Sequence, residues 1–264
     1  MAENTSAQDK RAAQREALRK QRAAELARQR RVRTIVYSVV TVVALVVVAG
    51  AGYLLYQAFK PEPELELHQP TSISNEDPYL QVGAASDAPV VDLVLDFMCP
   101  YCGQFEQVNG TDIADLANGN EATVRFHIRS FLNAASTTDY SGRAAGAAVC
   151  TYEQSPETFL AFQALLFENQ PQEGTAGLSD AEMVAFARDA GATDATAECI
   201  TNRTYQRWAQ ETMEPAGQEI ANATPAVRIN GEVWSENQSL WMTPGLFAQT
   251  VRSAGAGAAS DSGQ

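Results

Sequence analysis

The sequence contains no lysine beyond residue 60, and residues 34–59 carry no charge of either sign. Histidine is limited to His68 and His127, and cysteine to Cys99, Cys102, Cys150 and Cys199. Each scarcity excludes something. Residues 61–264 hold eight arginines against 28 acids. That part therefore lacks the clustered cations that nucleic-acid binding needs to displace counterions, and no nucleic acid is expected as a partner. A structural zinc site wants four ligands. One CxxC, two isolated cysteines and two isolated histidines offer no second half for it, so neither a metal nor a cofactor is expected. No internal repeat is visible. With 45% hydrophobic and 19% charged residues in 264, the chain is neither collagen-like nor wholly disordered.

The charge that is present is divided sharply. Residues 1–33 hold ten Lys and Arg against four acids, although the whole chain has a net charge of −13. A basic arm, an uncharged span and an acidic body cannot share one compact soluble unit. The apolar run from Ile35 to Tyr56 has 22 residues. As a helix it measures roughly 33 Å, enough for a hydrocarbon core of about 30 Å. A single membrane helix is expected within 34–59, holding the protein in the bilayer as a signal-anchor. Arg28, Arg30, Arg31 and Arg33 precede it and Lys60 follows. That asymmetry places the N-terminus in the cytoplasm and the acidic part outside it. A cleaved signal peptide is the competing reading, but its apolar core is usually about 7–15 residues.

The expected organisation is a basic cytoplasmic arm (1–33), the membrane helix (34–59), a Pro/Glu-rich extended tether (60–79), one globular domain (80–252) and a disordered tail (253–264). Within the domain, 89–97 and 122–129 read as strands, with 104–117 helical between them. Helical pieces follow at about 140–153, 156–169, 179–190 and 194–213, punctuated by Pro156, Pro171, Gly177 and Gly191. Two strands (224–230 and 232–234) and a final helix opening at Thr243-Pro244 complete the order. The fold class is α/β.

Cys99-Pro100-Tyr101-Cys102, between a strand and a helix, is the informative motif. At a helix N-terminus, free N–H groups and the helix dipole stabilise a thiolate, the form that attacks a disulfide. Two intervening residues bring the second sulfur within reach of a mixed disulfide. Cys99 is the expected nucleophile and Cys102 the resolving cysteine. Cys150 and Cys199 lie 49 positions apart in the helical block. Outside the cytoplasm they are expected to pair as a structural disulfide. Two buried thiols, or a second redox pair, are the alternatives.

APVVDLVLDFMCPYC, followed by a helix, a strand, a helical insertion and ATPAVRING, resembles the DsbA-like thiol–disulfide oxidoreductases of the thioredoxin superfamily, in their membrane-anchored actinobacterial form. The resemblance covers about 80–252 and implies a thioredoxin-like fold with a helical subdomain inserted at about 139–213. It implies that Thr224-Pro225 is a cis-proline segment facing the CxxC and offering backbone hydrogen bonds to an extended client. It also implies that Pro100 and Tyr101 tune the Cys99 thiolate. One departure is that Leu93 stands where many relatives have a buried acid, and Asp92 and Asp96 are expected to face away or to lie solvated at the strand end. His127 is expected to be a hydrogen-bonded strand histidine. Phe159, Phe162, Leu165 and Leu166 are expected in the core, and Trp234 and Trp241 in packing or along a substrate groove.

The resemblance implies an oxidase that puts disulfides into reduced exported proteins and is itself reoxidised by a membrane partner of the VKOR type. A reductase or isomerase using the same cysteines is one alternative. A non-catalytic client-binding module is the other.

Overall fold

The computed structural model describes residues 28, 30, 31, 33–53, 65–83, 87–234 and 238–261. The rest of the basic arm, residues 54–64, which include the end of the expected membrane segment, and 262–264 lie outside the described residues. The chain divides into two units, Met1–Pro63 and Glu64–Gln264.

In the first unit, α1 (Arg33–Tyr53) has a mean hydropathy of 2.4 and is long and apolar enough to cross a membrane. Its few polar side chains are satisfied locally. The hydroxyls of Thr34, Ser38 and Thr41 donate to the carbonyls of Arg30, Thr34 and Tyr37 at 2.8–3.0 Å. That is how hydroxyls are accommodated where no water is available. Arg33 donates to the Tyr37 hydroxyl at the helix start.

The second unit is built on a five-stranded sheet of order β1-β3-β2-β4-β5. The strands are β1 (Leu80–Val82), β2 (Val90–Leu95), β3 (Thr123–Ile128), β4 (Ala226–Ile229) and β5 (Glu232–Val233). β2 and β3 run parallel, with Leu93 opposite Phe126, and the other pairings are antiparallel. A parallel pair needs a crossover, and α2 (Pro100–Asn118) supplies it. The β4–β5 hairpin turns on Asn230 and Gly231, at φ 50° and 82°. Both residue types tolerate the left-handed region that a two-residue turn requires.

Helices α3 (Tyr140–Gln154), α4 (Pro156–Glu168), α5 (Asp180–Asp189), α6 (Asp194–Thr201), α7 (Gln206–Trp208) and α8 (Glu214–Ile220) form the insertion between β3 and β4. α9 (Gln238–Trp241) and α10 (Leu246–Asp261) follow β5. The last helix starts at Leu246 rather than at Thr243-Pro244, while α4 and α5 start at side-chain caps. Ser155 accepts from the Thr158 N–H ahead of Pro156, and Ser179 and Glu182 make a reciprocal capping box. The core is continuous across sheet and helices, with Leu93, Leu95, Phe97, Phe105, Phe126, Phe159, Phe162 and Trp208 all buried. Phe126 meets Phe159 edge-on at 5.0 Å. The α3 helix is largely buried.

Four further expectations are corrected. β1 is a strand that three residues are too few to announce. The expected helix 194–213 breaks after Thr201, where Arg203 takes φ 53°. It resumes through a π-helical turn at Ala209–Met213 and runs on to Ile220. Pro215 near the start of α8 removes one ladder donor, and the wider turn accommodates the change. Residues 65–79 are not a free tether. Ile73 is buried, Glu153 accepts from the backbone N–H groups of Thr71 and Ser72, and the Trp208 indole donates to Asn75 at 2.8 Å. Finally, α10 continues through 253–261, where a disordered tail is expected.

Candidate active site

Cys99 is the N-cap of α2, and Pro100 occupies the first turn, where a missing N–H breaks no ladder bond. β2 ends at Leu95, so Asp96 to Met98 form the turn that delivers the cysteines to the C-terminal end of the sheet's central strand. The Thr224–Pro225 peptide bond is cis, and the Thr224 carbonyl accepts from Cys99 Sγ at 3.5 Å. The structure thus brings Cys99, Pro100, Tyr101 and Cys102 together with Thr224 and Pro225. Cys150 and Cys199 lie elsewhere, joined by a disulfide between α3 and α6.

The two thiols are inequivalent. A cleft of about 540 Å³ is lined by Cys99, Pro100, Tyr101, Gln104, Phe131, Leu132, Glu173 and Asn222 to Thr224, whereas Cys102 is fully buried. The Cys99 pKa falls to about 6, chiefly because the Cys102 thiol donates to its sulfur. Thr224 and the N–H groups of Cys102 and Tyr101 act in the same direction, against the opposing effect of burial. Burial and the neighbouring Cys99 push Cys102 upward. The Asp96 N–H faces Cys102 Sγ at 3.5 Å. Tyr101 is exposed.

The main correction at the site is Asp96. It is fully buried rather than solvated at a strand end. Its Oδ1 accepts from the Met98 N–H at 2.8 Å and the Ser141 hydroxyl at 2.7 Å, and its Oδ2 from the Leu132 N–H at 3.2 Å. One carboxyl therefore joins the CxxC turn, the cleft wall and the helical insertion. No local pattern marks this, because Ser141 and Leu132 reach Asp96 only through the fold. Asp92 is engaged as well, with His127 Nε2 at 2.9 Å from its Oδ1.

Burial raises the Asp96 pKa to about 6. The folded state then holds a proton that the unfolded chain releases near 3.8. Stability from this group falls as pH rises between those values, by about 3 kcal/mol. Replacing Asp96 by Asn is expected to remove that decline, read as the difference in urea midpoint between the two proteins at pH 3.5 and 7.5. The variant's Cys99, relieved of a like charge, is expected to ionise at lower pH, followed by thiolate absorbance.

Two further residues were invisible as site residues. The Gln170 amide, just past α4, donates to the Phe97 and Cys99 carbonyls at 3.0 and 2.8 Å and so holds the turn from the helical side. Arg129, buried at the end of β3, donates to Glu214 and to the Ala221 carbonyl. This secures the end of α8, from which the Asn222–Thr224 wall departs. Trp234 packs on Phe247, while Trp241 lines a second cleft beside Pro225.

A CxxC at a helix N-terminus against a cis-proline is an arrangement that can exchange disulfides. The chain belongs to the thioredoxin family, whose family model matches residues 77–242. The structure is similar to the reduced form of the disulfide bond oxidoreductase DsbG of Mycobacterium tuberculosis. The TM-score is 0.58 at 27% identity, covering 72% of this chain and 95% of that one. It is also similar to reduced DsbA of the same organism, with a TM-score of 0.57 at 27% identity, covering 69% and 98%. MdbA of Corynebacterium diphtheriae shares the fold, with a TM-score of 0.57 at 20% identity over 74% and 98%. In sequence, the chain is 29% identical over 170 residues to the serine/threonine-protein kinase PknE of M. tuberculosis. It spans 30% of that kinase's length, and the match covers 61% of this chain. The chain is a DsbA-like thiol–disulfide oxidoreductase.

Proposed function

We infer that the protein oxidises exported proteins outside the cytoplasm through Cys99 and Cys102. The observation that carries this reading is the inequivalence of the two thiols: Cys99 opens on the cleft with its pKa lowered to about 6, and Cys102 is sealed beneath it. In the oxidised enzyme, a client thiolate attacks Cys99 Sγ, the Cys99–Cys102 bond breaks, and Cys102 leaves beside the Asp96 N–H. A second client thiolate then attacks the client sulfur of the mixed disulfide and releases the Cys99 thiolate. Two electrons pass from client to enzyme. Thr224, next to Pro225, borders the cleft in which an extended client would lie.

Direction follows from the thiolate. Below pH 6 the Cys99 thiol is protonated and nothing is gained over an ordinary thiol near 9. Between 6 and 9 the reduced form is progressively favoured. At pH 7 this amounts to about 1.4 kcal/mol, or about 30 mV toward a more oxidising disulfide. The Cys150–Cys199 disulfide suits an oxidising compartment. The basic flank of α1 supports a cytoplasmic N-terminus, with the bilayer entered through 34–59. Each turnover leaves the dithiol, so reoxidation falls to a membrane partner, for which a VKOR-type enzyme is proposed.

The test is the reduction potential of Cys99–Cys102 in the detergent-solubilised full chain, equilibrated in glutathione buffers with Cys150–Cys199 kept paired. A value near or above about −180 mV is expected, and one near about −270 mV would instead mark a reductase.

A further inference from the structure

Beside the Cys99 cleft lies a larger one of about 750 Å³ between α2 and α4. The two share Pro100 and Gln104 as a common wall. Gly103 and Gly110, seven residues apart and so on one face of α2, line the larger cleft. A glycine inside a helix costs up to about 1 kcal/mol. Here the missing side chains make room: a Cβ at 110 would come within 2.7 Å of Glu106 Oε1, and one at 103 within 2.2 Å of Gln170 Oε1.

Two carboxylates, Glu106 and Glu168, and no cation line this cleft among the described residues. Glu106 lines it and receives only the Gln163 amide, at 3.4 Å to each oxygen. Gln163 is itself 1% exposed, and its Oε1 has no hydrogen-bond partner among the described residues. Glu168 adds a second carboxylate to the larger cleft and Glu173 one to the Cys99 cleft. No Arg, Lys or His lines either cleft among the described residues. Six of the described arginines are paired elsewhere: Arg129 with Glu214, Arg143 and Arg203 with Asp180, Arg188 with Asp194, Arg207 with Glu211, and Arg252 with Glu121. Burial without a cation pushes the Glu106 carboxyl up to about 7.

A side chain that carries only donors and a positive charge completes such a set, and guanidinium is the fullest example. We propose that the α2–α4 cleft is a client subsite for a basic side chain, arginine above all, placed near the cysteine that reacts with Cys99. The shared wall at Pro100 and Gln104 lets one extended polypeptide engage both clefts. This subsite rests on the oxidase reading above and names its preferred substrate as basic segments of exported proteins.

The experiment follows oxidation of two fluorogenic dicysteine peptides by the disulfide form of the full chain. They differ only in carrying arginine or the isosteric neutral citrulline next to the reactive cysteine. The arginine peptide is expected to show a kcat/KM about threefold to tenfold higher, with the ratio falling as salt is raised. In Glu106→Gln, and separately in the more exposed Glu168→Gln, the ratio is expected to move toward one. Each ratio is internal to its variant, so a change in folded fraction cancels. Equal rates for the two peptides in the parent chain would overturn the subsite while leaving the oxidase reading intact. Failure to oxidise either peptide would overturn the oxidase reading. A preference that survives both substitutions would place the cation elsewhere and overturn the assignment to this cleft.

Discussion

Replacing Cys99 by serine is expected to reduce disulfide exchange to the rate of the buffer alone. A hydroxyl neither ionises near neutral pH nor exchanges with a disulfide, and Cys102 cannot substitute for it because it is fully buried. Replacing Cys102 by serine has a different expected outcome. Cys99 remains on the cleft and can still capture a client as a mixed disulfide, but no second thiol resolves it. The pair is read by peptide oxidation rates together with mass spectrometry of trapped adducts: loss of activity without adduct in the first variant, and adduct accumulation in the second. If client folding were promoted equally well by Cys99→Ser, the protein would be a binding module and not an oxidase.

The second large effect concerns stability. The Cys150–Cys199 disulfide closes a loop with a sequence separation of 49 residues, within the insertion and between α3 and α6. Loop closure of that size restricts the unfolded chain by about 4 kcal/mol. A Cys150→Ala, Cys199→Ala double variant is therefore expected to unfold at lower urea concentration, with a Tm roughly 8–16 °C lower for a body of this length. The insertion supplies Ser141 to Asp96 and Gln170 to the Cys99 turn. Its loosening is accordingly expected to raise the Cys99 pKa as well. A shift of less than about 1 kcal/mol with unchanged thiolate absorbance would show that helix packing alone holds the insertion, through buried residues such as Phe159, Phe162 and Trp208.

Local chemistry made much of this legible before any coordinates. The uncharged run at 34–59 can be satisfied by few environments other than a bilayer. The cysteine spacing after an apolar strand announces thiol chemistry because a helix N-terminus favours the thiolate. The helix expected from 156 starts there because Pro156 fits a first turn and cannot continue a preceding helix. The helix end expected at 213 misled because one wide turn at Ala209–Met213 carries the helix on to Ile220. Residues 65–79 misled because a Pro- and Glu-rich composition reports what a segment does in isolation. Here Ile73 and Asn75 find partners far along the chain, and such docking has no local signature.

By itself, the sequence determined an apolar helix long enough to cross a membrane, the order of most strands and helices, the cysteines to which chemistry attaches and the family they resemble. These depend on side-chain period, charge and capping, which act within a few residues of each other. Only the tertiary structure decided that Cys102 is sealed beneath the cleft, that Asp96 is buried against Leu132 and Ser141, that Gln170 and Arg129 hold the walls, and that Glu106 meets the Gln163 amide but no cation among the described residues. Each of those depends on groups 30 or more positions apart being brought together out of water. Burial then sets their charge, and no window along the sequence contains both partners.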